Sequence, residues 1–315
     1  MLSKKAYLVK EGLFEIREED ISIKDNQLLV QLKYCGLCNW ELNHWKGTSE
    51  NFRAYPYAIG HEWVGYVVEV GSKVTAFKVG DAVTGLKAGA FSEYHAVSEN
   101  NCHKVKEGIP LVNALGEPLK CITTVLRATK MEAGDFGLVL GCGPMGLWCT
   151  QGLAGKTLAG LIAVDVSDYK LELAKKYGAT HTINPTKENV VEAIQRITGG
   201  RMCDFVVEGT GVPKLLNEAM NYLRRYGRLV LMSSHESDCK SFDFRPAIAR
   251  GITIHVAHGS TDLPGDMVRA VSLINNGTFH NEEIVSHRFK LEEINEAFAA
   301  LANKPQDYIK GVIEF

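Results

Sequence analysis

The sequence has no long run of apolar residues and no block of like charge. No run approaches the roughly 20 apolar residues that a membrane-spanning helix requires, and the N-terminal MLSKKAYLVKEG turns polar before an apolar core of signal-peptide length develops. The formal net charge is −2, so the chain has no general attraction to nucleic acid or to anionic membranes. These absences predict a cytoplasmic protein that binds neither nucleic acid nor membrane.

Closely spaced cysteines are also scarce. Of the eight cysteines, only Cys35 and Cys38 form a CxxC pair. The others are scattered, several of them within apolar runs: Cys102, Cys121, Cys142, Cys149, Cys203 and Cys239. This distribution favours reduced, buried thiols over disulfides. The chain of 315 residues, with 45% hydrophobic and 23% charged residues, is long enough for two ordinary globular domains.

Two patterns of secondary structure follow one another along the chain. In the first third, β-branched segments such as 27–32 and 64–70 are separated by glycine turns, which is typical of a compact β-barrel. From about Pro118, short apolar segments suited to buried strands alternate with helical segments, as far as a last strand at 252–256. This alternation predicts a doubly wound parallel sheet. The predicted fold class is therefore α/β, with a β-barrel in addition.

A glycine-rich loop, GCGPMG, directly follows the strand-like segment 136–140 and opens a helix through Pro144 and Met145. This is the context that a dinucleotide-binding motif requires. Gly141 permits the tight turn, Gly143 lets a pyrophosphate approach the backbone, and Gly146 lets the helix pack closely on the sheet. The positive end of the helix dipole then faces the phosphates.

Asp165 ends the next predicted strand, 19 residues beyond Gly146. A carboxylate at that place accepts hydrogen bonds from the adenosine ribose and repels a 2′-phosphate, which predicts NAD rather than NADP. Lys170 lies near enough in sequence to reach the same ribose. The alternative is that Asp165 only helps to cap the helix that follows Ser167 and Asp168.

Four side chains that lie far apart in the sequence are candidate metal ligands: Cys38, His61, Glu62 and Glu117. Thiolate, imidazole and carboxylate are the ligands that zinc takes at catalytic sites, where they come from distant segments. Taken singly, each has a structural alternative. Cys38 could be a core thiol, His61 a turn histidine and Glu117 a charge at a helix N-terminus.

The segments CGLCNWEL, IGHEWVGYVVEVGSKVTAFKVGDAV, GEPL, GCGPMG and VDVSDYKLELAKKYGA occur in this order. With them the chain resembles the zinc-dependent medium-chain alcohol and polyol dehydrogenases over nearly its whole length. The resemblance implies a GroES-like catalytic domain at 1–118, completed by 259–315, and a Rossmann domain at 119–258. It also implies a homo-oligomer, dimer or tetramer, joined through the strand at 252–256.

The same resemblance implies the ligand set. Cys38, His61 and Glu117 hold a catalytic zinc, and Glu62 approaches or ligates it, depending on state. The acidic residue of GEPL is similar to that of the sorbitol-type polyol enzymes. Many relatives carry a second zinc on a lobe of four cysteines after the GDxV strand, but here residues 80–83 lead straight into 90–94. The sequence therefore predicts one zinc per chain.

A second departure concerns proton transfer. The resemblance places a serine-type hydroxyl relay two residues after Cys38, but this chain has Trp40, whose indole only donates. Glu41 can still orient a metal ligand by hydrogen bonding. His44 falls where the family often has a tyrosine that lines the substrate pocket. Either His44 replaces the relay, since imidazole titrates in the useful range, or it only shapes the pocket.

The function predicted from these features is NAD- and zinc-dependent hydride transfer between NAD(H) and a secondary alcohol or ketone of a polyol, sugar or cyclitol-like substrate. One alternative keeps the mechanism and changes the substrate to a short aliphatic alcohol or an amino alcohol such as threonine. A third possibility is a dinucleotide-binding module without catalysis. Trp40 is the residue that favours it, and the intact set of candidate ligands argues against it.

Overall fold

The strands and helices belong to two compact units, and the first unit contains both ends of the sequence. The computed structural model describes residues 1–49, 54–233, 242–257, 259–260 and 262–315. The chain divides into two compact units, the first comprising Met1–Leu119 and Met267–Phe315 and the second comprising Lys120–Asp266. The sequence predicted domain boundaries at 118–119 and 258–259.

The strands in the described part of the chain are β1 (Leu2–Lys10), β2 (Leu13–Asp20), β3 (Gln27–Gly36), β4 (Glu62–Val70), β5 (Ala82–Gly85), β6 (Tyr94–Ser98), β7 (Cys102–Lys104), β8 (Phe136–Leu140), β9 (Gly160–Val164), β10 (His181–Ile183), β11 (Cys203–Glu208), β12 (Leu223–Leu231), β13 (Thr253–Val256), β14 (Val285–Phe289) and β15 (Lys310–Glu314). The α-helices there are α1 (Asn39–Trp45), α2 (Gly116–Thr129), α3 (Pro144–Leu153), α4 (Asp168–Lys176), α5 (Val190–Thr198), α6 (Pro213–Ala219), α7 (Arg245–Arg250), α8 (Leu263–Asn275) and α9 (Ile294–Asn303).

The first unit is built on a mixed sheet with the order β14-β15-β3-β4-β5-β7, and β6 pairs with the other end of β3. A separate antiparallel hairpin, β1-β2, lies in the same unit. Alternate residues of these strands point inward and pack with α9 in one core, because successive side chains of a strand face opposite sides. Leu28, Val30 and Leu32 of β3 show this alternation.

The second unit contains a parallel sheet with the order β10-β9-β8-β11-β12-β13. The strand order reverses between β8 and β11, which is the point where doubly wound sheets bind their ligands. Every residue of β9 and β11 is buried, as strands covered on both faces require. The α/β fold class predicted from the sequence is confirmed.

Some predicted element boundaries shift for local reasons. The strand predicted from Val79 begins at Ala82, because the Lys78 backbone N–H donates to the Asp81 carboxylate at 3.0 Å and forms a turn. The helix predicted at 169–177 begins one residue earlier, after Ser167, whose hydroxyl accepts from the Lys170 backbone N–H at 3.4 Å. Cys239 lies outside the described residues. Within the described ranges, no helix is long and apolar enough to cross a membrane.

His95 in β6 is expected to make the stability of the protein depend on pH. Its ring is buried beside Trp63, with a centroid separation of 5.5 Å. Burial, reinforced by the positive charges of Lys87 and Lys5, lowers the pKa of His95 to about 3. Because the folded pKa lies below the unfolded value, the unfolded chain binds the extra proton between about pH 3 and 6.5. Stability is therefore lost as the pH falls through that window.

We expect His95→Gln to reduce the pH dependence of stability by up to about 1.4 kcal/mol per pH unit between pH 4 and 6. Urea denaturation of the parent and the variant at several pH values measures this difference. Equal slopes in the two proteins would show that the protonation of His95 is not coupled to unfolding.

Candidate active site

Cys38 and His61 come together because two antiparallel strands end side by side. Gly36 at the end of β3 pairs with Glu62 at the start of β4. Cys38 immediately precedes α1, and His61 immediately precedes β4. Cys38 Sγ consequently lies 4.0 Å from His61 Nε2.

The donor atoms of Cys38, His61 and Glu62 lie within 4.8 Å of one another. Glu117 joins them from the first turn of α2, with its Oε2 3.6 Å from His61 Nε2. Tetrahedral zinc with bonds of about 2.0–2.3 Å holds its ligand atoms about 3.3–3.6 Å apart. The sulfur, nitrogen and oxygen donors and their spacing fit a zinc ion with little adjustment.

Glu41 on α1 is bonded to two of the candidate ligands. Its carboxylate accepts a hydrogen bond from the Cys38 thiol at 2.8 Å and makes a short contact with His61 Nδ1. Nδ1 is thereby engaged, and Nε2 is the ring nitrogen that faces Cys38 and Glu117. A carboxylate behind a histidine in this way fixes the orientation of a metal-ligating ring.

The site carries an excess of negative charge. Burial, and then the charges of Glu41 and Glu62, raise the pKa of the Cys38 thiol well above its usual range. Burial opposes protonation of His61, but the summed charges of three nearby carboxylates outweigh it and raise the imidazole pKa to about 9. The nearby carboxylates contribute to both shifts, and a divalent cation bound here would offset their charge and take the place of the two protons.

Lys310 is a functional candidate that the sequence analysis missed. It opens β15, which pairs with β3, and its Nζ lies 2.5 Å from Glu62 Oε2. The two side chains are only 6% and 3% exposed. A Cβ at Gly36 would lie 2.1 Å from Glu62 Oε2, so a glycine is needed for Glu62 to turn towards this ammonium group. The available signal was a lysine in the otherwise apolar segment YIKGVI.

His44 lies beside this group and is not one of its donors. It is 1% exposed, and Trp40, which is 41% exposed, packs on it with a centroid separation of 4.1 Å. His44 Nδ1 lies 3.0 Å from the Tyr57 hydroxyl, and Nε2 lies 3.1 Å from the Ser49 hydroxyl. Trp40 also packs edge-on against His61, at 5.2 Å between centroids.

The glycine-rich loop has the geometry that a dinucleotide needs. A Cβ at Gly143 would meet no atom within 4 Å, so the backbone there is open to a ligand. A Cβ at Gly146 would lie 1.9 Å from the Gly141 carbonyl oxygen, which only glycine avoids. Gly143 is the N-cap of α3, and Pro144, which has no N–H, opens the helix; the N–H groups of Met145 and Gly146 in the first turn lack intrahelical partners and favour an anion.

Asp165 and Lys170 lie next to this loop. Asp165 Oδ2 accepts from the Cys142 backbone N–H at 2.7 Å, and Oδ1 accepts from the Ser167 N–H at 2.9 Å. Burial and the Asp165 charge raise the pKa of the Cys142 thiol, and the Lys170 charge partly offsets this. A carboxylate retains further lone pairs for ribose hydroxyls after these two bonds.

Family models match the chain in two segments. Residues 144–276 match the family described as zinc-binding dehydrogenase, and residues 24–107 match the alcohol dehydrogenase GroES-like domain. The chain belongs to the zinc-dependent medium-chain alcohol and polyol dehydrogenases. It is therefore a zinc-dependent oxidoreductase that uses a nicotinamide dinucleotide, as the sequence predicted.

Relatives of this dehydrogenase differ in substrate. It is 28% identical to the L-threonine 3-dehydrogenase of Caldanaerobacter subterraneus subsp. tengcongensis, over 90% of each chain. It is also 28% identical to a probable D-xylulose reductase A of Emericella nidulans, over 92% of this chain and 91% of that one. The crystal structure of 2R,3R-butanediol dehydrogenase from Bacillus subtilis superposes with a TM-score of 0.88 at 26% identity, over 99% of both chains.

Proposed function

We propose that this dehydrogenase transfers a hydride between NAD(H) and the secondary alcohol or ketone of a polyol, sugar or cyclitol-like substrate. The observation that carries the proposal is the group of donor atoms from Cys38, His61 and Glu62, with Glu117 beside it. A dinucleotide-binding module without catalysis would have no use for such a set of converging donors.

In this proposal Cys38, His61 and Glu117 hold the zinc, and Glu62 approaches or ligates it. Lewis-acid polarisation of the substrate oxygen is the chemistry that zinc supplies when bound. Glu41 keeps His61 Nε2 directed at the metal position, because it engages Nδ1.

His44 remains the candidate for moving the substrate proton, because Trp40 has no acceptor atom. Its two ring nitrogens connect the hydroxyls of Tyr57 and Ser49. A neutral imidazole between two hydroxyls accepts a proton on one side and releases one on the other.

The cofactor that we propose is NAD. The Gly141–Gly146 loop supports the pyrophosphate, and Lys170 assists at the ribose. The Asp165 carboxylate next to Cys142 would accept from the ribose hydroxyls and repel a 2′-phosphate.

An amino alcohol is the second candidate substrate, because one relative is an L-threonine 3-dehydrogenase. The polyol class is supported by Glu117 in GEPL and by the relative named a probable D-xylulose reductase. Fold similarity alone does not select between them, since substrate choice depends on the pocket.

Initial rates on a substrate panel test the proposal directly. The panel contains D-xylulose with NADH, and (2R,3R)-butanediol and L-threonine with NAD, each repeated with the 2′-phosphorylated cofactor and after zinc chelation. We expect the highest kcat/KM on a polyol or its ketone, a preference for NAD(H) of about tenfold or more, and loss of activity that added zinc restores. Higher activity on L-threonine would favour the amino-alcohol alternative, and no turnover with zinc and NADH bound would favour the non-catalytic one.

We further propose that the first unit is the catalytic domain, that the second is the NAD-binding domain, and that the chain forms a dimer or tetramer. β13 is the last strand of its sheet among the described residues, and Val256 on it is exposed, which suits pairing with a second copy. None of the described cysteines forms a disulfide, which suits a reducing, cytoplasmic location.

A further inference from the structure

Glu208 is a fully buried carboxylate at the carboxyl end of β11. Its Oε1 accepts from the backbone N–H groups of Thr210 at 2.7 Å and Gly211 at 3.2 Å, and it makes a short contact with the Thr210 hydroxyl. Its Oε2 accepts from the Ser233 hydroxyl at 2.5 Å, and Ser233 Oγ accepts in turn from the Gly211 N–H at 3.0 Å. One side chain therefore ties the loop after β11 to the residues that follow β12.

This loop lies at the point where the strand order of the sheet reverses. β8 and β11 are neighbours, and the Gly209 N–H donates to the Leu140 carbonyl at 2.9 Å. A Cβ on Gly141 would lie 2.9 Å from Thr210 Cγ2, so the loop directly adjoins the glycine-rich turn. Residues 209–211 thus lie beside the glycine-rich turn, at the switch point where a doubly wound sheet binds its ligand.

A doubly wound sheet binds the two halves of a dinucleotide with its two halves. The glycine-rich turn and Asp165, after β8 and β9, belong to the half that takes the adenylate. The loop after β11 and residues 232–233 after β12 belong to the half that takes the nicotinamide mononucleotide. Burying a carboxylate is costly, and four hydrogen bonds from these two segments offset that cost here.

We propose that Glu208 is a positioning residue for the nicotinamide half of the dinucleotide. It holds residues 209–211 and Ser233 in the one arrangement that leaves the crevice open beside Gly141. This inference rests on the proposed use of NAD. Glu208 does not contact the cofactor in this proposal. Its carboxylate acts indirectly, through its hydrogen bonds with Thr210, Gly211 and Ser233.

Binding of NADH and of 5′-AMP, each measured by titration calorimetry, tests the proposal. Glu208→Ala removes all the bonds, and Glu208→Gln keeps the shape and one acceptor oxygen. We expect the NADH dissociation constant to rise about 10–30-fold in the alanine variant and less in the glutamine variant. The 5′-AMP constant should stay within about twofold in both, since this ligand has no nicotinamide half.

Asp204 provides the matched control at the opposite end of β11. It is also buried and accepts from Arg201 at 2.8 Å, from Arg224 at 2.5 Å and from the Phe136 N–H at 2.7 Å. Asp204→Asn should weaken the fold without changing the ratio of the NADH and 5′-AMP constants. Parallel losses for both ligands in the Glu208 variants, or no loss, would overturn the proposal. Parent protein that bound neither ligand would instead overturn the proposed function, and this inference with it.

Discussion

Cys38→Ala is expected to lose its zinc and to lower kcat/KM by about 10³-fold or more. The variant removes the sulfur donor of the group formed with His61 and Glu62. Three-coordinate sites of weaker donors hold zinc poorly, and Lewis-acid polarisation of the substrate oxygen is lost with the metal. Zinc content by mass spectrometry and kcat/KM on the substrate found in the panel measure the two effects. The parent should contain one zinc per chain.

Cys35→Ala is the matched control, because it lies in the same CxxC segment. Cys35 is fully buried in the core of the first unit, whereas Cys38 contributes its sulfur to the donor group. The Cys35 variant should keep its zinc and lose only the stability associated with a small cavity, about 1 kcal/mol. NADH binding should persist in both variants. A Cys38 variant that kept its zinc and its rate would show that the metal is held elsewhere.

Many of the strands and the glycine-rich turn could be predicted from short segments of the sequence. The strands β8, β9 and β11 were predicted from short apolar runs, because both faces of such strands are buried. The glycine-rich turn could also be predicted from the sequence, because any side chain at Gly146 would clash with the Gly141 carbonyl oxygen. Resemblance added the link between Cys38, His61 and Glu117, which lie far apart in the chain. Their role as ligands stays a prediction.

The remainder depends on contacts that sequence patterns do not encode. His44 was expected near the substrate, but its place behind Trp40 and its bonds to Tyr57 and Ser49 follow from how α1 packs. Glu208 has the sequence position of an ordinary strand end, and its role becomes visible only from its hydrogen bonds with Thr210 and Ser233. The partner of Glu62 could not be predicted either, because Lys310 lies almost 250 residues away in the last strand.

Removing Lys310 from its buried pair with Glu62 is expected to lower the stability of the protein and to change how it binds zinc. Lys310→Met leaves the Glu62 carboxylate buried without its ammonium partner, which costs about 3–5 kcal/mol when one member of such a pair is removed. Burial alone would lower the pKa of Lys310, but its neighbours, Glu62 first, raise it, so the residue is charged in the folded protein. Burial raises the pKa of Glu62 and the Lys310 charge opposes that rise, so removing Lys310 favours the protonated form of the carboxyl group further. Urea denaturation of the zinc-free protein measures the loss.

A double-mutant cycle separates this pair from ordinary core damage. Lys310→Met combined with Glu62→Gln removes both charges, so the double variant should be more stable than Lys310→Met alone. The surface pair of Lys104 and Asp81 has a similar separation of 2.8 Å, but the lysine side chain is 51% exposed. Lys104→Met should therefore cost no more than about 1 kcal/mol. Additive losses in the cycle would contradict a strong interaction between Lys310 and Glu62.

Zinc should change the outcome for Lys310→Met in a way that reveals what the ammonium group does. With zinc bound in the parent, Lys310 would compete with the metal for the Glu62 carboxylate, whose donor atom lies within 4.8 Å of those of Cys38 and His61. Without Lys310, the metal is the remaining positive partner for Glu62. We therefore expect zinc to restore much of the stability lost by Lys310→Met, and to dissociate more slowly from the variant than from the parent. Equal zinc dissociation rates would mean that Glu62 stays away from the metal whether or not Lys310 holds it. Slower zinc dissociation from the variant would show that Lys310 keeps Glu62 from binding the zinc as a fourth protein ligand. A coordination position would then remain for the substrate.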